Sequence, residues 1–199
     1  AVTKTFNFSA ISSAQKQQIF HIGESRVQET KQKIKNKKIN TQTKIHLIGH
    51  LQTNKVNQAV KIYNVIQSVD SIKLLDKINQ IADIQQKKQK VFLQINITKN
   101  ITQKGFNASE IFEAAEHATQ LPNIKLCGLM AIGANTNNKE KITDGFYQTK
   151  TTQEKIQKTI NSSCQSLSIG MSQDYILALK AGATHLRLGT ILFNNRDNV

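Results

Sequence analysis

The sequence predicts a parallel α/β barrel, a (β/α)8 TIM barrel folded as a single domain over residues 1–199. Three observations lead there. Short β-type runs alternate with longer segments of helical periodicity along the whole chain, as parallel β/α units require. No repeat period and no Pro/Gly/Ser linker divides the 199 residues, so one domain is the economical reading, although about 250 residues is typical of such barrels. The β-type runs reach eight, the number that closes this barrel.

In chain order the strand candidates are residues 1–4, 19–23, 44–48, 65–69, 91–97, 125–130, 166–168 and 185–188. Helical candidates lie between them at residues 10–18, 26–35, 56–60, 72–84, 109–119, 144–160 and 174–180. The opening run, Ala1-Val2-Thr3-Lys4, begins apolar, and barrel closure would set it beside the eighth strand. Segment 72–84 is the clearest helix, because Ile72, Leu75, Ile78 and Ala82 fall at three- and four-residue steps and form one apolar face. The last two runs, Ser166-Leu167-Ser168-Ile169-Gly170-Met171-Ser172 and His185-Leu186-Arg187-Leu188-Gly189-Thr190, each end in Gly, Ser or Thr ahead of a helix. Helix-start N–H groups would then converge on one point, where a phosphate binds, and loops after strands seven and eight are its usual seat in these barrels. Lys4, on the closing strand, brings an amine to face that cradle. An amine opposite a phosphate cradle suits a phosphorylated aldehyde cofactor held as a Schiff base. The residues alone also admit plain turn and cap chemistry for the Ser, Thr and Gly positions, and a solvated lysine near a chain end.

Lys plus Arg total 27 against 13 acidic residues, a formal net charge of +14, which raises polyanions as partners. The lysines are scattered over predicted helix faces and loops, as at Lys31, Lys33 and Lys35 or Lys87, Lys88 and Lys90. Tryptophan is absent, and no aromatic residues interleave with those runs to stack bases. A basic nucleic-acid binder therefore stays an alternative, with non-specific adhesion the milder expectation. No stretch approaches the roughly 18 apolar residues of a membrane helix, and a mean hydropathy of -0.40 fits a soluble protein. Cys127 and Cys164 belong to no C-x-x-C pair and read as reduced thiols in a cytoplasmic setting. His46 and His50 straddle a strand end with no third ligand in reach, so no metal site is expected. Glu24 and Glu29 are candidates for acid/base work without an identified partner, and Gln52, Asn54 and Lys55 are expected at the barrel mouth or capping the next helix. Residues 98–106, polar and carrying Gly105, are expected to form a mobile loop over the same face. The chain opens at Ala rather than Met, which implies an upstream segment and leaves any targeting signal out of view.

Further motifs occur in one order at the ends of alternate elements. They are Ala1-Val2-Thr3-Lys4-Thr5, Gly23-Glu24-Ser25-Arg26-Val27-Gln28-Glu29, His46-Leu47-Ile48-Gly49-His50-Leu51-Gln52-Thr53-Asn54-Lys55, Gly128-Leu129-Met130-Ala131-Ile132, Leu167-Ser168-Ile169-Gly170-Met171-Ser172 and Arg187-Leu188-Gly189-Thr190. Together they resemble the motifs of the pyridoxal phosphate homeostasis proteins, single-domain barrels similar to the N-terminal domain of alanine racemase. The resemblance implies pyridoxal 5′-phosphate (PLP) as cofactor and Lys4 as its Schiff-base lysine. That amine must lose the proton it ordinarily holds at a pKa of about 10.4, which burial and a nearby cation favour. It makes Arg187 the donor to the pyridine nitrogen; a guanidinium cannot usefully give up a proton, so the ring stays unprotonated and a poor electron sink. Ser172, Gly189 and Thr190 would hold the phosphate, with Ser168 a second-rank candidate, and Gly189 would permit close approach. Met171 would pack against the cofactor. Ser25 stands where the family often has Asn.

The implied function is intracellular PLP homeostasis by a monomeric carrier that supplies PLP-dependent apo-enzymes without turnover, with no specific nucleic acid and no membrane as partner. A PLP-dependent amino-acid racemase is the alternative; it needs a proton donor opposite the lysine, which alanine racemases bring with a second domain, and few residues follow Thr190 here. The chain also departs from the family. Phe6-Asn7 replaces a K-P pair, so the loop after Lys4 is expected to lose a rigid turn, with lower affinity as the result. The family's leading helix is expected to be lacking from residues 1–199, and Phe193-Asn194-Asn195-Arg196 replaces I-F-G-x-R.

Overall fold

A computed structural model gives the fold of residues 1–98 and 103–193. Its sheet has seven parallel strands that neighbour one another in chain order: β1 (His21–Glu24), β2 (Lys44–Leu47), β3 (Val65–Val69), β4 (Gln89–Ile95), β5 (Ile124–Ala131), β6 (Ser166–Met171) and β7 (His185–Arg187). Helices alternate with them: α1 (Phe8–Lys16), α2 (Val27–Ile34), α3 (Val56–Ile62), α4 (Ile72–Ile84), α5 (Glu110–Gln120), α6 (Lys139–Thr159), α7 (Tyr175–Lys180) and α8 (Thr190–Phe193). The opening segment takes the eighth place, spanning the gap between β7 and β1. Val2 N donates to Leu188 O at 2.8 Å, Thr3 N to Gly23 O at 3.0 Å, and Gly23 N to Ala1 O at 2.7 Å. The strand expected over residues 1–4 is thus reduced to one parallel bridge, Val2 to Gly23. It stops there because the chain turns: Phe6 N returns to Thr3 O at 3.2 Å, and Thr5 adopts a φ of 70°.

Residues of alternating parity point to opposite faces of a strand. Ile45, Leu47, Ile66, Leu93, Leu129, Leu167 and Ile169 share one core with Leu75 and Ile78 of α4, Ala114 and Ala115 of α5, and Phe146 and Ile156 of α6. Full burial of each large aliphatic side chain there stabilises the fold by roughly 1.5–3 kcal/mol. The opposite parity faces the barrel interior. Val65, Phe92 and Met130 form a small apolar cluster of their own, and the buried polar residues His46, Gln67, Gln94, Ser168 and Arg187 share that parity. The Ser168 hydroxyl on β6 donates to Gln67 Oε1 on β3 at 2.7 Å; these strands are not neighbours, so the bond crosses the interior. A barrel of this type usually fills its interior with branched aliphatic side chains. This one is substantially polar.

α4 has the bounds read from the sequence, and its Ser71 cap accepts from Leu74 N at 3.3 Å. α6 begins at Lys139, ahead of the expected residue 144, because Asn138 caps it through Lys141 N at 3.0 Å and its first turn is too polar to show hydrophobic periodicity. The helix expected after the last strand is the short α8, and a 3-10 turn over Thr53–Lys55, which has no hydrophobic period to announce it, leads into α3. β6 runs on to Met171 through Gly170, whose φ is 88° and where a Cβ would lie 2.4 Å from that of Ala178. Cys164 is buried, which pushes its thiol up to about 12, and neither cysteine is in a disulfide. Among the described residues no helix is long and apolar enough to cross a membrane.

Near the N-terminal ends of the strands, His21, His46 and His185 bring their rings together at centroid distances of 5.1, 5.9 and 6.0 Å, with His185 edge-on to Phe92 at 5.5 Å. Burial lowers His46 from 6.5 to about 3 and moves the other two in the same direction. The folded state therefore holds these rings neutral while the unfolded chain takes up protons as pH falls below its ordinary histidine value. Their contribution is complete above that value and is lost on acidification toward the folded value. Urea unfolding should show stability falling between pH 7 and about 4, with His46 alone accounting for at most about 3 kcal/mol. His46→Leu should flatten that slope. An unchanged slope would show that His46 titrates normally in the folded protein.

Candidate functional site

At the C-terminal ends of the strands lies a cavity of about 760 Å³. Its wall comes from successive strand ends: Val2 and Lys4 of the closing segment, Ser25 and Arg26 after β1, Ile48, Gly49 and His50 after β2, and Gln94 near the end of β4. Ile132 after β5, Met171, Ser172 and Gln173 at the end of β6, and Arg187, Gly189 and Thr190 at the end of β7 complete it, with Gln103 and Lys104 over the rim. The loops after β1 and β2 lie so close that a Cβ on Gly49 would sit 2.3 Å from Ser25 O.

Lys4 is half-buried, and the backbone on either side of it is clamped. Before it, the Thr3 hydroxyl donates to Glu24 Oε1 at 2.6 Å, while Lys33 Nζ donates to Thr3 O at 2.8 Å and to the same Glu24 oxygen at 2.6 Å. After it, Thr5 N donates to Glu29 Oε1 at 2.7 Å, and Lys33 Nζ lies 3.6 Å from that oxygen. The Glu24 and Lys33 side chains are both buried. Burial raises the Glu24 carboxyl above its ordinary range, opposed by the hydrogen bonds from Lys33 and Thr3. The two glutamates read as candidates for acid/base work are therefore tied to the segment that carries Lys4. The rigid turn expected to be lost at Phe6-Asn7 is replaced by other contacts: Asn7 Oδ1 caps α1 by accepting from Ser9 N at 2.9 Å, and Phe6 packs on Phe193 at 5.3 Å between centroids.

Arg187 is buried and anchored by three hydrogen bonds, NH1 to Ser168 O at 2.7 Å, NH1 to Ser168 Oγ at 3.0 Å and NH2 to Ala131 O at 2.8 Å. Burial lowers it to about 10, against the pull of Asp174. Five N–H groups belong to a guanidinium, so this anchoring leaves donors for the cavity. Beside it, Gly189 N and Ile191 N both approach the Ser172 hydroxyl at 3.4 Å, long contacts that an anion could replace. Ser172 is held there by a closed turn, in which Met171 N donates to Asp174 Oδ1 at 2.6 Å and Asp174 N to Met171 O at 3.0 Å. A Cβ on Gly189 would make only ordinary contact with protein, 3.5 Å from Val2 O, so close approach there concerns the cavity side.

The structure thus brings Lys4, Ser25, Met171, Ser172, Arg187, Gly189 and Thr190 to one cavity. It does not bring Ser168, which is fully buried in the barrel interior with its hydroxyl between Gln67 and Arg187. Ile48, Gln94, Ile132 and Gln173 also line it without being cofactor candidates in the sequence, although most stand at the ends of strands whose outlets all converge in a parallel barrel. The sequence marks His50 only as a possible metal ligand, and Gln103 and Lys104 only as part of the loop over this face. His46 and His50 separate, one into the interior beside Gln67 and one to the rim, where it lies 3.0 Å from Asp70. Of the loop expected to be mobile, residues 103–106 are pinned to β4: Gln94 Nε2 donates to Lys104 O at 2.9 Å and Phe106 N to Gln94 O at 2.8 Å. Residues 99–102, and residues 194–196 of the final motif, lie outside the described residues.

The family model described as alanine racemase, N-terminal domain, matches residues 1–197. The pyridoxal phosphate homeostasis protein of Haemophilus influenzae is 33% identical over 201 residues, covering 99% of this chain and 84% of its own length. The protein of the same name from Synechocystis is 35% identical over 199 residues, covering 98% and 90%. The solved structures of PipY from Synechococcus elongatus, 31% identical over 97% of this chain and 90% of theirs, superpose with TM-scores of 0.92 without PLP and 0.86 with PLP bound.

The clamp beside Lys4 has a measurable cost when half of it is removed. Lys33→Met leaves the Glu24 carboxylate buried and unpaired and should destabilise the protein by about 3–5 kcal/mol in urea or thermal unfolding. Glu24→Leu combined with Lys33→Met should recover much of that loss. A double variant as unstable as the sum of the single ones would show the two side chains to act independently.

Proposed function

The chain belongs to the alanine racemase N-terminal domain family and, within it, to the pyridoxal phosphate homeostasis proteins; from that premise we propose that it holds PLP reversibly through Lys4 and serves its intracellular homeostasis. The observation that carries this reading is a single cavity whose lining includes Lys4, Ser172, Arg187, Gly189 and Thr190. The donor set suits the group. Two backbone N–H groups, two hydroxyls and a glycine that leaves space match a phosphate. An amine in the same cavity matches an aldehyde. Lys4 Nζ would attack the aldehyde carbon, forming a C=N Schiff base with loss of water, and hydrolysis would return the amine and the carbonyl.

When bound, the cofactor supplies that carbonyl and an aromatic ring whose electron-withdrawing power depends on protonation of its nitrogen. Arg187, facing that nitrogen, would donate a hydrogen bond and no proton. The ring would remain a weak electron sink, which favours holding over turnover, as does the name shared by the relatives. Ser25 and Met171 would flank the ring, and the whole chain, residues 1–199, would act as one monomeric unit in the cytoplasm, delivering PLP to apo-enzymes.

Protein mixed with PLP should develop a visible absorption band, and borohydride reduction followed by peptide mapping should place the label on Lys4; a label on another lysine would overturn the assignment. Ser172→Ala should weaken PLP binding by about tenfold and leave binding of unphosphorylated pyridoxal unchanged. Equal losses for both ligands would remove Ser172 from the phosphate site. Racemisation of alanine at a rate rivalling a dedicated racemase would overturn the carrier role.

A further inference from the structure

The Arg187 guanidinium is connected to residues far from the cavity by a chain of hydrogen bonds through the barrel interior. Arg187 NH1 donates to Ser168 Oγ at 3.0 Å, and Ser168 Oγ donates to Gln67 Oε1 at 2.7 Å. Gln67 Nε2 meets His46 Nδ1 at 2.9 Å, and His46 Nε2 meets His21 Nδ1 at 3.0 Å. The chain joins β7, β6, β3, β2 and β1, and Ser168 and Gln67 stand 101 residues apart.

We infer that Gln67 and His46 are positioning residues for Arg187, and that they fix the direction in which its guanidinium presents hydrogen bonds to the cavity; this rests on the proposed PLP site. The physical reason is that a guanidinium donates and never accepts. Ser168 Oγ must therefore accept from Arg187, and its own proton needs an acceptor, which is Gln67 Oε1. That choice aims the Gln67 amide nitrogen at His46 Nδ1. His46 Nδ1 must then carry a lone pair, its ring proton must sit on Nε2, and His21 Nδ1 must accept it. Every link points the same way, from the cation inward. A proton on His46 Nδ1 would set two donors against each other and turn the Gln67 amide. Ser168 would then lose the acceptor that holds its hydroxyl in register with Arg187. Burial above all disfavours a positive ring on His46, and so do His21, His185, the terminal amine and Lys90, the groups that face it. A small cavity of about 50 Å³ is lined in part by His21, His46, Gln67, His185 and Arg187.

Two readouts test this. In ligand-free protein with labelled histidines, long-range proton–nitrogen correlation spectra should show His46 protonated at Nε2 and bare at Nδ1, and Gln67→Glu should move the proton to Nδ1. In PLP titrations, Gln67→Leu and Ser168→Ala should each weaken binding by about tenfold and alter the visible spectrum of the bound cofactor, whereas Ser168→Thr, which keeps the hydroxyl, should stay within about twofold of the parent. Gln67→Leu combined with Ser168→Ala should cost little more than either alone, because both break one chain. A proton on His46 Nδ1 in the parent protein overturns the inference, as does a folded Gln67→Leu that binds PLP with parental affinity and spectrum. Failure of the parent protein to bind PLP at all would instead sink the proposed function, and the ring-proton position would still decide whether the chain has the stated direction.

Discussion

The site depends on how the barrel is closed. Three backbone hydrogen bonds, from Val2 N to Leu188 O, Thr3 N to Gly23 O and Gly23 N to Ala1 O, insert the first residues of the chain between β7 and β1. They place Lys4 one residue past the closure and bring it to the cavity that Arg187, Gly189 and Thr190 line from the other end of the sequence. Without them β1 and β7 would be open sheet edges, with unpaired N–H and C=O groups exposed. Closure and the assembly of the site are the same event.

A second constraint is the division of labour between the two faces of each strand. The outward parity supplies an almost wholly apolar core against the helices, which holds most of the burial free energy. That leaves the inward parity able to carry His46, Gln67, Ser168 and Arg187. Buried polar groups are tolerable when they satisfy one another, and costly when one partner is removed. Buried ion pairing follows the same logic at Glu24 and Lys33, where the desolvated charges are joined by the Thr3 hydroxyl and the Thr3 carbonyl. Both networks fix geometry close to the cavity, one around the backbone of Lys4 and the other behind the guanidinium of Arg187.

Much of this was legible in the sequence. The alternation of β-type and helical segments set the architecture, since each segment reports its own burial pattern locally, and α4 and β3 have the bounds that their residues suggest. Seven of the residues read as cofactor contacts line one cavity: Lys4, Ser172, Gly189 and Thr190 carry local signals, at strand ends and on the opening segment, whereas Ser25, Met171 and Arg187 rest on the family resemblance. Ser168 resembled them, being a serine near a strand end. Its position along β6 turns it inward, and only its partner on β3 shows that its hydroxyl is already engaged. The early start of α6 was hidden for a different reason: its first turn is charged and contributes little to the core.

The sequence by itself determined which segments become strands and helices, where the chain can turn tightly, and which residue types stand at the strand outlets, because these follow from steric preference and hydrophobic period over a few residues. Only the tertiary structure decided that Glu24, Glu29 and Lys33 grip the residues on either side of Lys4, that the opening strand shrinks to a single bridge, and that Gln67 and His46 stand behind Arg187. Those contacts join residues distant along the chain. No periodicity or propensity encodes a hydrogen bond across a barrel; it exists once closure brings the strands to face one another.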